Sequence, residues 1–174
     1  MTSARVIKNS VHHSNNYLLI NKGFKHGITH KMGVINSEGV VGVIMDVSDN
    51  YAAVLSVLNK KTKVSGRIKQ NQQIGSVSWQ SMNFREATLE DIPIYAKINI
   101  GDTVVTSGNS SIFPAGVPIG TIKKFSKNDG ESFYSITLHL AVDYNALNQV
   151  YIVNHLLRDE VNALEKRIEP IVHD

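Results

Sequence analysis

Gly101-Asp102-Thr103-Val104-Val105-Thr106-Ser107-Gly108, continued after a short loop by Ile112-Phe113-Pro114-Ala115-Gly116-Val117-Pro118-Ile119-Gly120, is the stretch from which the fold is read. Gly101-Asp102 supplies a turn, residues 103–106 a short β-branched strand, and Phe113-Pro114-Ala115-Gly116 a second turn leading into a Val/Ile strand. The unit is strand, tight loop, strand. It holds no glycine-lysine phosphate cradle, no metal-ligand spacing and no nucleophile beside a base, so its expected job is to hold shape.

Working outward, the same grammar recurs. Short apolar runs at 5–8, 17–20, 34–35, 40–45 and 51–58 are separated by turn signals such as Asn21-Lys22-Gly23 and Ser37-Glu38-Gly39. Beyond Asn59 the runs 64–69, 74–79, 84–89 and 92–95 continue the meander, with Pro93 expected on an edge because it cannot donate to a ladder. Between Phe133 and Val142 the pattern has a period of two. Tyr134, Ile136, Leu138, Leu140 and Val142 are expected to face the core, and Phe133, Ser135, Thr137, His139 and Ala141 to face outward.

An internal echo suggests a duplicated module. The run from Gly39 to Ile44, a polar turn and the run 51–58 match the run from Gly116 to Ile122, a polar turn and the run 133–142. Gly42 and Gly120 lie inside these strands, where a bend or a close backbone approach is required to justify glycine. The expected fold is therefore all-β, two small antiparallel β-barrels with a short C-terminal helix. The first barrel is assigned to residues 4–66 and the second to 67–153, with a strand able to cross the boundary, and the helix to 154–169.

The tail changes character. After a last strand at 150–153, Asn154 is read as a helix cap, and Leu157, Val161, Leu164 and Ile168 recur at spacings of four, three and four. Pro170 is read as the stop. Three readings stay open: an amphipathic helix on a barrel, a frayed tail, or a self-association seam. Ile112, Phe113, Pro114 and Val117 form the most apolar loop, open either to buried turn packing or to partner contact. Unsealed edge strands of small barrels offer a further route to pairing with other chains.

Composition narrows the function classes. The 174 residues carry 42% hydrophobic and 19% charged side chains, the balance of a folded chain, and the net charge of +3 gives no strong signal for nucleic acid. The chain contains no cysteine, which excludes disulfides and cysteine-ligated zinc. No apolar run approaches the ~20 residues that span a bilayer, and the N-terminus lacks a signal-peptide pattern. Lys60, Lys61, Lys63, Arg67 and Lys69 cluster in one segment, read either as a solvated hairpin face or as a patch for anionic lipid headgroups or an acidic partner.

Enzymatic readings find little support. His12, His13, His26, His30, His139, His155 and His173 are scattered over different segments, so no metal site is expected. A two-barrel serine hydrolase using Ser107, with His13 or His26 and Asp46, is the alternative enzyme reading. It lacks the glycine-aspartate-serine-glycine context around its serine. No cofactor is expected.

The strand Gly-Asp-x-Val-Val-Thr-Ser-Gly followed by Phe-Pro-x-Gly-Val-Pro-Ile-Gly-x-Ile resembles the rod shape-determining protein MreC family. Ile20-Asn21-Lys22-Gly23, Gly27-Ile28 and Gly39-Val40-Val41-Gly42-Val43-Ile44 look like the first half of that family. The matching positions Asn21, Lys22, Gly23, Gly39, Gly42, Gly101, Asp102, Thr106, Ser107, Gly108, Pro114, Gly116 and Gly120 are taken as structural. The resemblance implies two six-stranded barrels and a non-enzymatic scaffold of lateral wall synthesis outside the bacterial inner membrane. It also implies homo-oligomers and contacts with MreD, RodA and an elongation-specific penicillin-binding protein. A cytoplasmic tail, a transmembrane helix and a coiled coil are expected to precede this part, with Met1-Thr2-Ser3 partly a leader and MreB reached through the preceding segment.

Overall fold

A computed structural model describes residues 1–154 and 158–172. The first strands are β1 (Thr2–Asn9), β2 (Asn15–Ile20), β3 (Gly33–Ile35), β4 (Val40–Val47) and β5 (Ala52–Asn59). Then come β6 (Lys63–Ile68), β7 (Ile74–Ser78), β8 (Glu86–Glu90), β9 (Thr103–Thr106), β10 (Pro118–Ser126), β11 (Ser135–Leu140) and β12 (Gln149–Val153), with α1 (Arg158–Val172) last. They build two closed antiparallel barrels, β1-β12-β3-β4-β5-β2 and β10-β11-β8-β7-β6-β9. The all-β, two-barrel fold read from the sequence is the fold observed.

Closure corrects one expectation. Every strand has a neighbour on both sides, so the barrels present no open edge along which a second chain could pair. The strand period, in contrast, reads through directly: Tyr134, Ile136, Leu138, Leu140 and Val142 are all buried. Ordered β11 is shorter than the run 133–142 because Phe133 makes only an isolated bridge to Pro93.

The boundary between the barrels also differs from the sequence reading. A division at Gly66 would cut β6, which lies wholly in the second barrel, and β12, assigned to the second, instead closes the first between β1 and β3. The reason is topological equivalence. The neighbour order β3-β4-β5 in one barrel repeats as β9-β10-β11 in the other, and β12 stands where β6 stands. The registers repeat too, with Val34 opposite Gly42 and Val104 opposite Gly120. A Cβ at Gly42 would lie 2.2 Å from the Leu55 carbonyl oxygen and one at Gly120 2.4 Å from that of His139. Glycine at these paired positions lets neighbouring backbones approach.

The barrels meet in a close-packed seam. Phe113, 4% exposed, projects from the β9–β10 loop onto β3, where a Cβ at Gly33 would lie 2.6 Å from its ring. At the β3–β4 hairpin a Cβ on Gly39 would lie 2.2 Å from the Pro118 carbonyl oxygen on β10. The return connection from β11 to β12 is fastened by Tyr144, whose hydroxyl donates to the Val40 carbonyl at 2.7 Å. Full burial pushes the Tyr144 phenol far above its ordinary range, so it stays a donor. Across the seam His12 meets Phe84 edge-on at 6.3 Å.

Helix α1 runs through Pro170 rather than stopping there. Proline removes one amide, a loss that a helix tolerates close to its end.

Replacing Phe113 by alanine is expected to lower stability by about 3 kcal/mol, as for other large-to-small core changes. Phe113→Leu should cost less, and Gly33→Val should also destabilise because β3 and the loop must part. Urea unfolding monitored at the lone tryptophan, Trp79, checks all three. An unchanged midpoint in Phe113→Ala would show that the seam does not hold the barrels.

Candidate partner-docking surface

The motif loop proves to be internal architecture. Thr106 Oγ1 donates to the Pro114 carbonyl at 2.6 Å and accepts the Val117 amide at 2.8 Å, while the Thr106 carbonyl accepts the Gly116 amide at 2.9 Å. Asp102 Oδ2 accepts the Asn99 amide at 2.8 Å and so closes the turn before β9. Gly101, Gly108 and Gly116 hold positive φ at these turns. In the first barrel Asn21 Oδ1 accepts the Arg5 amide at 2.8 Å, and a Cβ at Gly23 would lie 2.3 Å from the Ser48 carbonyl oxygen. Lys22 lies half-buried beside them.

Of the apolar loop offered for partner contact, Phe113 is buried in the seam and Ile112 and Val117 pack partly buried against the core. Pro114 is exposed. The loop's apolar surface is thus used between the barrels, which corrects the partner-contact reading for its central residue. Along α1, Val161, Leu164 and Ile168 are exposed, and Leu157 lies outside the described residues.

The residues imagined as a hydrolase are not brought together. Ser107 Oγ is 2.7 Å from Ser65 Oγ and accepts the Asn109 amide at 3.1 Å. His26 Nδ1 accepts the Gly23 amide at 3.0 Å, and Asp46 lies 3.5 Å from His30. Among the described residues no three His, Asp or Glu side chains gather as metal ligands; His155 and His173 lie outside them. Lys60, Lys61, Lys63 and Lys69 are exposed, while Arg67 is half-buried with a Nε that has no hydrogen-bond partner.

The surface that could receive a partner lies on the outer wall of the second barrel. Chain geometry makes it: Asp91, at φ 70°, turns the chain out of β8, and residues 92–96 then cross to the segment before β11. Tyr134 donates its amide to the Ile92 carbonyl at 2.9 Å, and the Ile94 amide donates to the Ser132 carbonyl at 3.1 Å. From beneath, the buried Tyr134 hydroxyl donates to the Ala96 carbonyl at 2.9 Å and holds the turn. Around it Ile94, Tyr95 and Phe133 are 36%, 81% and 49% exposed, and Ile74, on an adjoining hollow, is 44% exposed. Ile94, Tyr95 and Phe133 border a hollow of about 690 Å³ that also includes Asp91 and Glu131. Large apolar side chains gathered around a concavity with an acidic rim have the character of an interaction surface.

This surface continues toward the first barrel. Asp91 also borders a second hollow, of about 450 Å³, between Val43 of the first barrel and Ile74, Lys63 and Phe113 of the second. Across β11, Lys123 on β10 donates to Glu86 on β8 and holds that carboxyl below the usual carboxylate range. Tyr95 and Ile74 were not marked as site residues by their sequence context. Phe133 carried a signal, since a large apolar side chain fell on the outward set of a strict alternation.

The sequence profile described as Rod shape-determining protein MreC, barrel core, matches residues 6–154. The cell shape-determining protein MreC of Listeria monocytogenes is 30% identical over 125 residues, covering 70% of this chain and 42% of that protein. The chain thus spans less than half the length of this curated relative. Among solved structures, the major periplasmic domain from the cell shape-determining filament MreC superposes with a TM-score of 0.72 at 20% identity, covering 87% of this chain and 93% of that one. A chain from the complex between penicillin-binding protein PBP2 and MreC of Helicobacter pylori has a TM-score of 0.62 at 19% identity, covering 88% of this chain and 99% of that one.

Ser107, hydrogen-bonded to Ser65 while His26 and Asp46 make other contacts, is expected to stay unlabelled by a fluorophosphonate probe. Intact-mass spectrometry reads the result, and stoichiometric labelling at Ser107 would establish a nucleophile there.

Proposed function

Because this chain belongs to the MreC family of rod shape-determining proteins, we propose that it is a non-enzymatic scaffold of the cell-elongation complex, gathering wall-synthesis proteins through its barrels. The observation that carries this reading is the solvent-facing apolar surface of Ile74, Ile94, Tyr95 and Phe133. It is built on a rigid wall and held from beneath by Tyr134, which suits a binding surface better than a reacting one. An aromatic residue as exposed as Tyr95 supplies the amphipathic contact that dominates many protein interfaces.

The partner class follows from a relative. An MreC of similar fold is named in a complex with PBP2, and we extend that class to this chain, with an elongation-specific penicillin-binding protein docking on the second barrel. MreD and RodA are further proposed partners, and MreB is proposed to be reached through a segment preceding the barrels. Self-association is part of the same proposal, supported by the naming of a related MreC as a filament and by the exposed face of α1. The proposed setting is the outer side of the inner membrane, supported by the periplasmic description of that relative. None of the helices among the described residues is long and apolar enough to cross a membrane, so anchoring is assigned to a segment outside the barrels.

Tyr95→Ser combined with Phe133→Ser should weaken binding to the extracytoplasmic part of the elongation-specific penicillin-binding protein from the same genome by at least about tenfold. Isothermal titration calorimetry measures it, with the urea midpoint expected to hold because both side chains face outward. Undiminished affinity would remove this surface from the reading.

A further inference from the structure

Helix α1 carries an apolar stripe exposed along its length, with Ile168 and Glu165 also bordering a hollow shared with Lys31 of the first barrel. Val161, Leu164, Ile168 and Ile171 are 39%, 52%, 46% and 76% exposed. Their spacing of three, four and three places Val161 and Ile168 at heptad position a, and Leu164 and Ile171 at d. Charged Glu160, Glu165 and Arg167 flank the stripe directly, so it is a narrow seam suited to one further helix rather than to a broad core. An isolated 15-residue helix is marginal in water and gains from such a cover.

Charge selects the cover and its direction. Glu160 and Arg167 occupy g positions and Glu165 an e position. In a parallel pair, g of one helix meets e of the other, so Glu160 would oppose Glu165 twice. In an antiparallel pair, g meets g, and Glu160 meets Arg167 twice. The register that does this sets Val161 against Leu164 at the centre of the seam. These layers end before Pro170, so the proline lies outside the seam.

We propose that α1 is an antiparallel self-association seam, in which a second copy of this chain lays its own α1 along Val161, Leu164 and Ile168. The proposal rests on the reading of the protein as a self-associating scaffold and adds the residues and the direction. Two heptads bury little surface, so the pairing is weak and concentration-dependent, which suits assembly where copies are crowded together. The closed barrels leave no sheet edge for pairing, so a helical seam is the route that remains visible in the fold.

Sedimentation velocity across a concentration series, on this whole chain, tests it. The wild type should shift reversibly from monomer toward dimer, Leu164→Glu should abolish the shift, and Glu160→Lys should raise the dissociation constant several-fold. Adding Arg167→Glu to Glu160→Lys should restore it, since the two charges exchange places. A parallel pair gives the opposite single-variant result, because the introduced lysine would then face Glu165 and tighten the dimer, and that result would overturn the direction proposed. The chain lacks cysteine, so a second readout is clean. Oxidation of a mixture of Val161→Cys and Leu164→Cys should give the mixed disulfide, whereas Ile168→Cys alone should not cross-link to itself. If Leu164→Glu leaves a dimer intact, the seam is wrong while self-association stands. If the wild type is monomeric throughout, both fail. An unchanged urea midpoint in each variant confirms that the barrels remain folded.

Discussion

The packing of Phe113 against Gly33 is the contact on which the arrangement of this molecule depends. A barrel closed on itself has satisfied its backbone and needs no second barrel. Beyond the two chain crossings, the two are joined by close packing, foremost where a ring from one barrel lies on a strand that carries no side chain to resist it. The Gly39 hairpin against Pro118 repeats the device a few residues away. Both contacts use bare backbone as the socket, which brings the walls closer than two layers of side chains would allow and leaves little freedom for relative rotation.

Chain topology reinforces that seam. Because β12 completes the first barrel only after the whole second barrel has been traversed, the chain crosses between the units twice, once from β5 to β6 and once from β11 to β12. The first barrel therefore cannot close until its distant last strand returns, and Tyr144 marks the point of return by bonding to Val40. Late closure of this kind carries a loop-entropy cost that grows slowly with loop length. The second barrel, contiguous in sequence, closes over shorter loops at a smaller cost. The sequence contacts thus favour the second barrel as the unit that forms first.

How much of this could be read from the chain depends on how local each signal is. The alternation through Tyr134 to Val142 is local, and it named the inward residues correctly. The echo of Gly39 to Ile44 in Gly116 to Ile122 is also local in each copy, and it led to two barrels. It could not reveal that β12 substitutes for the equivalent of β6, because strand pairing between residues 2–5 and 149–152 leaves no mark in either segment. Phe113 shows the same limit. An apolar loop residue looks alike whether it meets a partner protein or a distant glycine of its own chain. The exposed surface was half legible: Phe133 broke the outward polarity of its strand, whereas Tyr95 acquires its place only through the turn at Asp91.

On the proposed scaffold reading several contacts must be held at once, and the fold would keep them apart by construction. The apolar surface of Ile74, Ile94, Tyr95 and Phe133 belongs to the second barrel, whereas α1 follows β12 of the first. The proposed helix seam would use residues 161–168 and the proposed docking surface none of them, so occupancy of one would not consume the other. What couples them is the seam at Phe113 and Gly33. If that packing is firm, a protein docked on the second barrel is carried at a fixed angle relative to the first barrel. Disturbing the seam would then alter the geometry of an assembly without removing a single contact to a partner. In such a molecule the buried ring that binds nothing outside the chain is as consequential for function as the exposed one.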